Sequence, residues 1–227
     1  MDILPQALLF IGIIPSLILL YIGLKGYDGL YKDKSVFITF IVGIMMGVIA
    51  VVIRIYIRPP ALLVVYILLF AVFEQLFKTV FLNIGRLQRK KETTIYGLSL
   101  GLGFGSVFTP FLIIAAYVNG ISDSSIIGLI AFGSLGIILF NGASGAYIGY
   151  GVYSGETFKY LMISIILQLP LNAFIDLSRV EGFVKYFSMI QLCMVIYGGI
   201  FFWYVVKKIM PQILKKSKKR KKIVKKT

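Results

Sequence analysis

Apolar residues in this chain come in runs of about twenty, separated by short clusters of charge, proline and polar residues. At 1.5 Å per residue, such a run crosses the ~30 Å hydrocarbon core of a bilayer as one helix. Read this way, the pattern predicts about seven transmembrane helices, near 3–24, 36–57, 61–83, 95–118, 125–153, 157–176 and 186–209. The expected fold is therefore all-α, a polytopic membrane helix bundle over residues 1–210 followed by a basic tail over 211–227. The first run, from Ile3 to Leu24, is too long for a signal-peptide core and has no basic leader, so it reads as a retained helix.

Composition agrees with this and narrows it. Of the 227 residues 59% are hydrophobic, more apolar surface than a soluble domain of this size can hide. Seven helices with short loops leave no room for a second folded domain. The expected location is the cell membrane, crossed several times.

Charge sets the orientation. Lys25, Lys32 and Lys34 follow the first helix, Arg86, Arg89, Lys90 and Lys91 follow the third, Lys159 opens the sixth, and the tail follows the seventh. Basic loops stay cytoplasmic, which places all four on that side. The opposite side receives the Asp2 terminus, Arg58-Pro59-Pro60, the Asn119–Ser124 loop without basic residues, and a loop with Arg179 and Lys185. The amino terminus is then outside and the carboxyl terminus cytoplasmic.

The residue inventory excludes several chemistries. With no histidine, imidazole-ligated metals, Ser-His or Cys-His nucleophiles and histidine proton transfer are all ruled out. The single cysteine, Cys193, forms no intrachain disulfide and no thiolate cluster. No metal and no cofactor is expected.

Inside the apolar runs, polar residues are few and therefore informative. A charge within a spanning helix costs at least ~2.5–3.5 kcal/mol, so it faces protein or trapped water. The third run carries Glu74, Gln75 and Lys78, with Glu74 and Lys78 four apart and expected to pair on one helix face. Asn141 lies mid-way along the fifth, and Gln168 and Asn172 share a face of the sixth around Pro170, which removes a backbone bond and can open the helix. Arg54, near the outer end of the second, is expected to snorkel to the interface. Glu74, Gln75, Lys78, Asn141, Gln168 and Asn172 are thus candidates to converge on one cavity; simple interhelical hydrogen bonding is the plainer alternative.

Small residues mark the expected close contacts. Gly43 and Gly47 lie four apart on the second helix. Gly97, Gly101 and Gly105 form a stripe on the fourth, and Gly145 and Gly149 stand near Gly142 and Ser144 on the fifth. Such spacing lets helix backbones approach closely in lipid.

The tail is a separate feature. Nine of the last 13 residues are basic, among them Lys215, Lys216, Lys218, Lys219, Arg220, Lys221 and Lys222. Each adds ~1 kcal/mol of attraction to an anionic leaflet, making lipid headgroups the expected partner. The tail lacks the aromatic residues that stack on bases, which argues against RNA reading. A topology anchor and solvated tail is the plainer alternative.

In order along residues 13–177, five blocks resemble the PrsW-type membrane proteases, within the superfamily of CAAX-processing and bacteriocin-processing enzymes. They are Pro15-Ser16-Leu17 through Asp33-Lys34; Glu74-Gln75-Leu76-Phe77-Lys78; Tyr96-Gly97 with Gly101-Leu102-Gly103-Phe104; Asn141-Gly142-Ala143 through Gly149-Tyr150-Gly151; and Leu169-Pro170-Leu171-Asn172-Ala173-Phe174. The resemblance implies a bundle in which a carboxylate activates water while histidine and asparagine hold the water or the oxyanion. Against that pattern the second acid is replaced by Gln75, a usual Glu-Asn pair by the Phe108-Thr109-Pro110 region, and the histidines by Asn141 and a position near Leu169. Glu74 alone remains as a base, and losing an acid–base partner costs ~10²–10⁴-fold.

Three functions follow as expectations: a pseudoprotease that holds a membrane helix or lipid-like ligand, an active glutamyl intramembrane endopeptidase using Glu74, and a small transporter or channel component with Glu74 and Lys78 lining its path.

Overall fold

The computed structural model describes residues 4–56, 63–178 and 185–214. Arg58-Pro59-Pro60, Arg179 and the basic tail from Lys215 lie outside these residues.

Each apolar run folds as a helix, because in lipid only the helix satisfies every backbone N–H and C=O within one segment. In chain order they are α1 Leu4–Leu24, α2 Asp33–Tyr56, α3 Leu63–Leu82, α4 Glu92–Ser106, α5 Phe108–Val118, α6 Ser124–Ser154, α7 Thr157–Leu177 and α8 Phe187–Tyr204. Six segments are long and apolar enough to cross a membrane, with α4 and α5 acting as one and α8 extended to Leu214; α1 adds a shorter apolar stretch, Phe10–Leu24. The protein is an all-α polytopic membrane bundle. Large side chains such as Val64, Leu69, Val80, Ile166 and Ile200 point outward, the face that lipid solvates at no cost.

The break between α4 and α5 has a local cause. Pro110 has no N–H to give the carbonyl four residues back, at Ser106, and its ring crowds that carbonyl. The helix is interrupted at Val107. Gly12 of α1 lies directly on the Ser106 carbonyl, where any Cβ would collide. Pro170 does not have this effect: α7 runs through it as one helix, so the local opening expected there is absent.

The α4 helix is the centre of the bundle, with every residue from Thr93 to Ser106 buried. It lies between α2 and α6, and α6 in turn packs on α8. Glycines set these contacts. A methyl added at Gly97 would strike the Gly145 carbonyl, one at Gly101 the Asn141 carbonyl, and one at Gly149 the Thr93 carbonyl. Gly105 sits 2.8 Å, measured from where its Cβ would be, from the Ile138 Cα. On the other flank Gly43 and Gly47 of α2 lie against the Leu100 and Phe104 carbonyls. Gly136 and Gly198 join α6 to α8 in the same manner, a contact the spacing of residues did not suggest.

The α3 and α7 helices pair with each other and lean on α6. Their seam is polar, and it holds the candidate site. At the far end, α8 runs into a π-helical turn, Val205–Ile209. The chain then stays on the bundle as far as Leu214: Ile213 is buried, and Tyr150 donates to Gln212 Oε1 at 2.6 Å. Residues 211–214, grouped with the tail by composition, therefore pack with the helices.

Candidate functional site

Four helices contribute to one buried polar cluster. Ser164, Gln168, Asn172 and Asp176 recur every fourth residue on α7, and all four are buried. That spacing puts them on one face. On α3, Glu74 and Gln75 turn to meet them while Lys78 turns toward α6, each no more than 1% exposed. Arg54 comes from α2, and Asn141 and Ser144 from α6.

Arg54 is the hub. It is 4% exposed and turned inward, so it does not snorkel as its place near the helix end suggested. Its Nη2 donates to Asp176 Oδ2 at 2.9 Å, and its Nη1 reaches Asn172 Oδ1 at 3.3 Å and Glu74 Oε1 at 3.5 Å. The Phe70 ring lies 5.2 Å from the guanidinium, and Tyr66 donates to the Arg54 carbonyl at 3.1 Å. Exposing this guanidinium to lipid would leave two carboxylates unpaired, so burial with partners wins.

Glu74 is held on both oxygens. Arg54 faces Oε1, and Gln168 Nε2 donates to Oε2 at 2.6 Å. The same Gln168 nitrogen reaches Asn172 Oδ1 at 3.1 Å, while Gln168 Oε1 accepts from Gln75 Nε2 at 2.6 Å. The amides thus form a chain from Gln75 through Gln168 to Glu74 and Asn172.

Lys78 does not pair with Glu74, although the two lie on one face. Its ammonium donates to Asn141 Oδ1 at 2.6 Å and to Ser144 Oγ at 2.9 Å, and lies 4.8 Å from the centre of the Phe104 ring. Asn141 is oriented for this by its own donation to the Ile137 carbonyl at 2.9 Å. The expected intrahelical pair is replaced by two interhelical ones, because α2 and α6 each offer a better-placed partner.

The six sequence candidates therefore come together, but as interlocked side chains in two groups joined by one turn of α3. Arg54, Asp176 and Ser144 complete the cluster. Asp176 was legible in principle, since it continues the face of Gln168 and Asn172 by four residues. Two cations and two carboxylates give the cluster no net formal charge, the condition under which charges persist inside a membrane protein.

Some hydrogen-bonding capacity is left over. Among the described residues, the buried side-chain atoms without a hydrogen-bond partner are Arg54 Nε, Gln75 Oε1, Asn172 Nδ2, Ser164 Oγ and Thr94 Oγ1. Four of these five belong to α2, α3 and α7, around the polar seam. Each such atom costs about 1–3 kcal/mol in desolvation when unpaired. Also among the described residues, no three His, Cys, Asp or Glu side chains gather as a metal ligand set.

No protein-family model, curated protein or solved structure matches this chain. Fold and site together define a multi-pass helical membrane protein with a charge-balanced polar seam.

Proposed function

We propose that the protein is a catalytically degenerate, PrsW-like component of the cell membrane that binds a membrane helix or a lipid-like ligand at its α3–α7 seam. The observation that carries this reading is the state of Glu74. A general base needs its oxygen within hydrogen-bond reach of a water, yet Glu74 is 1% exposed, with Arg54 facing one oxygen and Gln168 donating to the other. Unpartnered polar atoms lie beside it, in Gln75 Oε1, Asn172 Nδ2 and Ser164 Oγ. An acceptor beside donors suits a peptide backbone or a polar headgroup, which presents both.

One observation favours the peptidase reading instead. Asp176 brings a second carboxylate to Glu74 through their shared Arg54, where the sequence had offered Gln75. Arg54 stands between the two acids and ties both down, which suits a structural pair better than an acid–base dyad.

The test is capture without cutting. The protein carrying a photoreactive residue in place of Leu169, beside the seam, is illuminated in lipid with a panel of single-span peptides. Adducts with intact peptides are expected. Lack of any adduct across the panel would remove helix binding from the proposal.

A further inference from the structure

The loop between α3 and α4 joins two segments long and apolar enough to cross a membrane, Leu63–Leu82 and Glu92–Val118, so it lies at the bilayer surface. It carries Arg86, Arg89, Lys90 and Lys91 within six residues, and no Asp or Glu occurs between Glu74 and Glu92. Arg86, Arg89 and Lys90 are exposed. Among the described residues, none of these four cations has an ion-pair partner.

Other basic stretches in the chain carry their own counter-charges. Lys25, Lys32 and Lys34 stand with Asp28 and Asp33, and Lys159 pairs with Glu156 at 3.0 Å. The α3–α4 loop is also fixed in shape. Gln88 Nε2 donates to the Asn83 carbonyl at 2.8 Å, the Leu87 N–H to the Ile84 carbonyl at 2.7 Å, and Thr93 Oγ1 to the Leu87 carbonyl. Arg89 has φ +57°, in the left-handed region that glycine occupies at least cost, so a guanidinium stands where the turn alone favours glycine.

Like charges held together without a counter-charge repel one another, and a bound anion removes that cost. What lies alongside selects the source of the anion. Leu76 and Val80, one turn apart on α3, are exposed, and Ile84, exposed as well, follows two residues after the helix ends. Hydrocarbon surface thus leads into the cationic loop, in the order in which a phospholipid presents its acyl chain and its phosphate. A soluble anion leaves that apolar surface unused. A zwitterionic headgroup brings its own ammonium toward the cations, whereas a headgroup of net negative charge does not.

We infer that the α3–α4 loop is a binding site for an anionic phospholipid, its phosphate held by Arg86, Arg89 and Lys90 and an acyl chain lying along Ile84, Val80 and Leu76. The site uses none of the polar residues of the α3–α7 seam and is separate in sequence from the basic tail.

The purified full chain is equilibrated with equal amounts of phosphatidylglycerol and phosphatidylcholine carrying the same acyl chains, and retained lipid is counted by native mass spectrometry. The unaltered protein is expected to prefer phosphatidylglycerol. Arg86→Gln, Arg89→Gln and Lys90→Gln together are expected to lower that preference by roughly 5-fold or more, the size of one cation at an anionic leaflet. Lys25→Gln, Lys32→Gln and Lys34→Gln, an equal loss of charge in the α1–α2 region, should leave most of it in place. Equal retention of the two lipids by the unaltered protein overturns the inference, and that measurement stands even where a variant does not fold. A preference that survives the α3–α4 substitutions overturns it by assigning the lipid to another part of the chain, and an equal fall in both variants does so by assigning it to overall charge. Glycerophosphoglycerol, the same headgroup without chains, should not displace the lipid at equal concentration; displacement would make the ligand a soluble phosphate and also overturn the inference. Capture of peptides at the α3–α7 seam is a separate readout, so the wider reading stands or falls independently.

Discussion

Glu74 and Lys78, one helical turn apart on α3, look in different directions: Glu74 toward Arg54 on α2 at 3.5 Å, and Lys78 toward Asn141 on α6 at 2.6 Å. A single turn of helix therefore fastens α3 to both flanks of the bundle. The α2–α4–α6–α8 stack closes by backbone contact at glycines, whereas α3 is held by charge and amide. The two kinds of joint respond differently to substitution.

Removing Arg54 leaves two buried carboxylates without their cation. Arg54→Leu is expected to cost about 3–5 kcal/mol, the usual loss when one partner of a buried pair is deleted. Adding Glu74→Gln and Asp176→Asn to the same chain should recover part of that loss, since neutral amides need no counter-charge. Unfolding in detergent, followed by circular dichroism, gives the order. No recovery in the triple variant would mean that Arg54 acts by packing on Phe70 rather than by charge.

Lys78→Met should be milder. Its hydrogen-bond partners are a neutral amide and a hydroxyl, so the loss expected is about 1–3 kcal/mol, that of an unsatisfied buried group. The same unfolding assay applies, and a loss larger than that of Arg54→Leu would contradict the assignment of Arg54 as hub.

At the α4–α6 joint, Gly101→Ala and Gly145→Ala each drive a methyl into a facing carbonyl. A loss of about 1–3 kcal/mol per site is expected, the cost of overpacking. Gly128→Ala and Gly199→Ala are the controls: a methyl added at either would meet no other part of the bundle within 4 Å. There the substitution should be neutral or stabilising by up to about 1 kcal/mol through helix propensity.

The positive-inside rule predicts an outside amino terminus and a cytoplasmic carboxyl terminus. In a Cys193→Ser background, Ser122→Cys in the α5–α6 loop should react with an impermeant thiol reagent from outside. Gln88→Cys in the α3–α4 loop should react only after permeabilisation. The reverse labelling would invert the bundle.

Much of the architecture was legible in the chain. The spanning segments follow from run length, though not the break of the fourth, read as one helix over 95–118, into α4 and α5 at Val107; the facing stripes Gly97-Gly101-Gly105 and Gly145-Gly149 follow from spacing. The presence of Glu74, Gln75, Lys78, Asn141, Gln168 and Asn172 in the membrane marked them as inward-facing. Their pairing was not legible. Arg54 sits in the last turn of α2, where snorkelling and burial have the same local signature. The choice between them depends on Asp176, which lies 122 residues away in sequence. For the same reason the local Glu74–Lys78 pair was the natural expectation; only the placement of α2 and α6 shows why each residue does better with another helix.

The most direct test of the central claim is peptide release from single-span substrates by the purified protein in lipid, measured beside Glu74→Gln. A Glu74 held by Arg54 and Gln168 predicts no products from either form, with the substrate helices captured intact. Products from the unaltered protein that vanish in the folded Glu74→Gln variant would contradict this account and make Glu74 a working base.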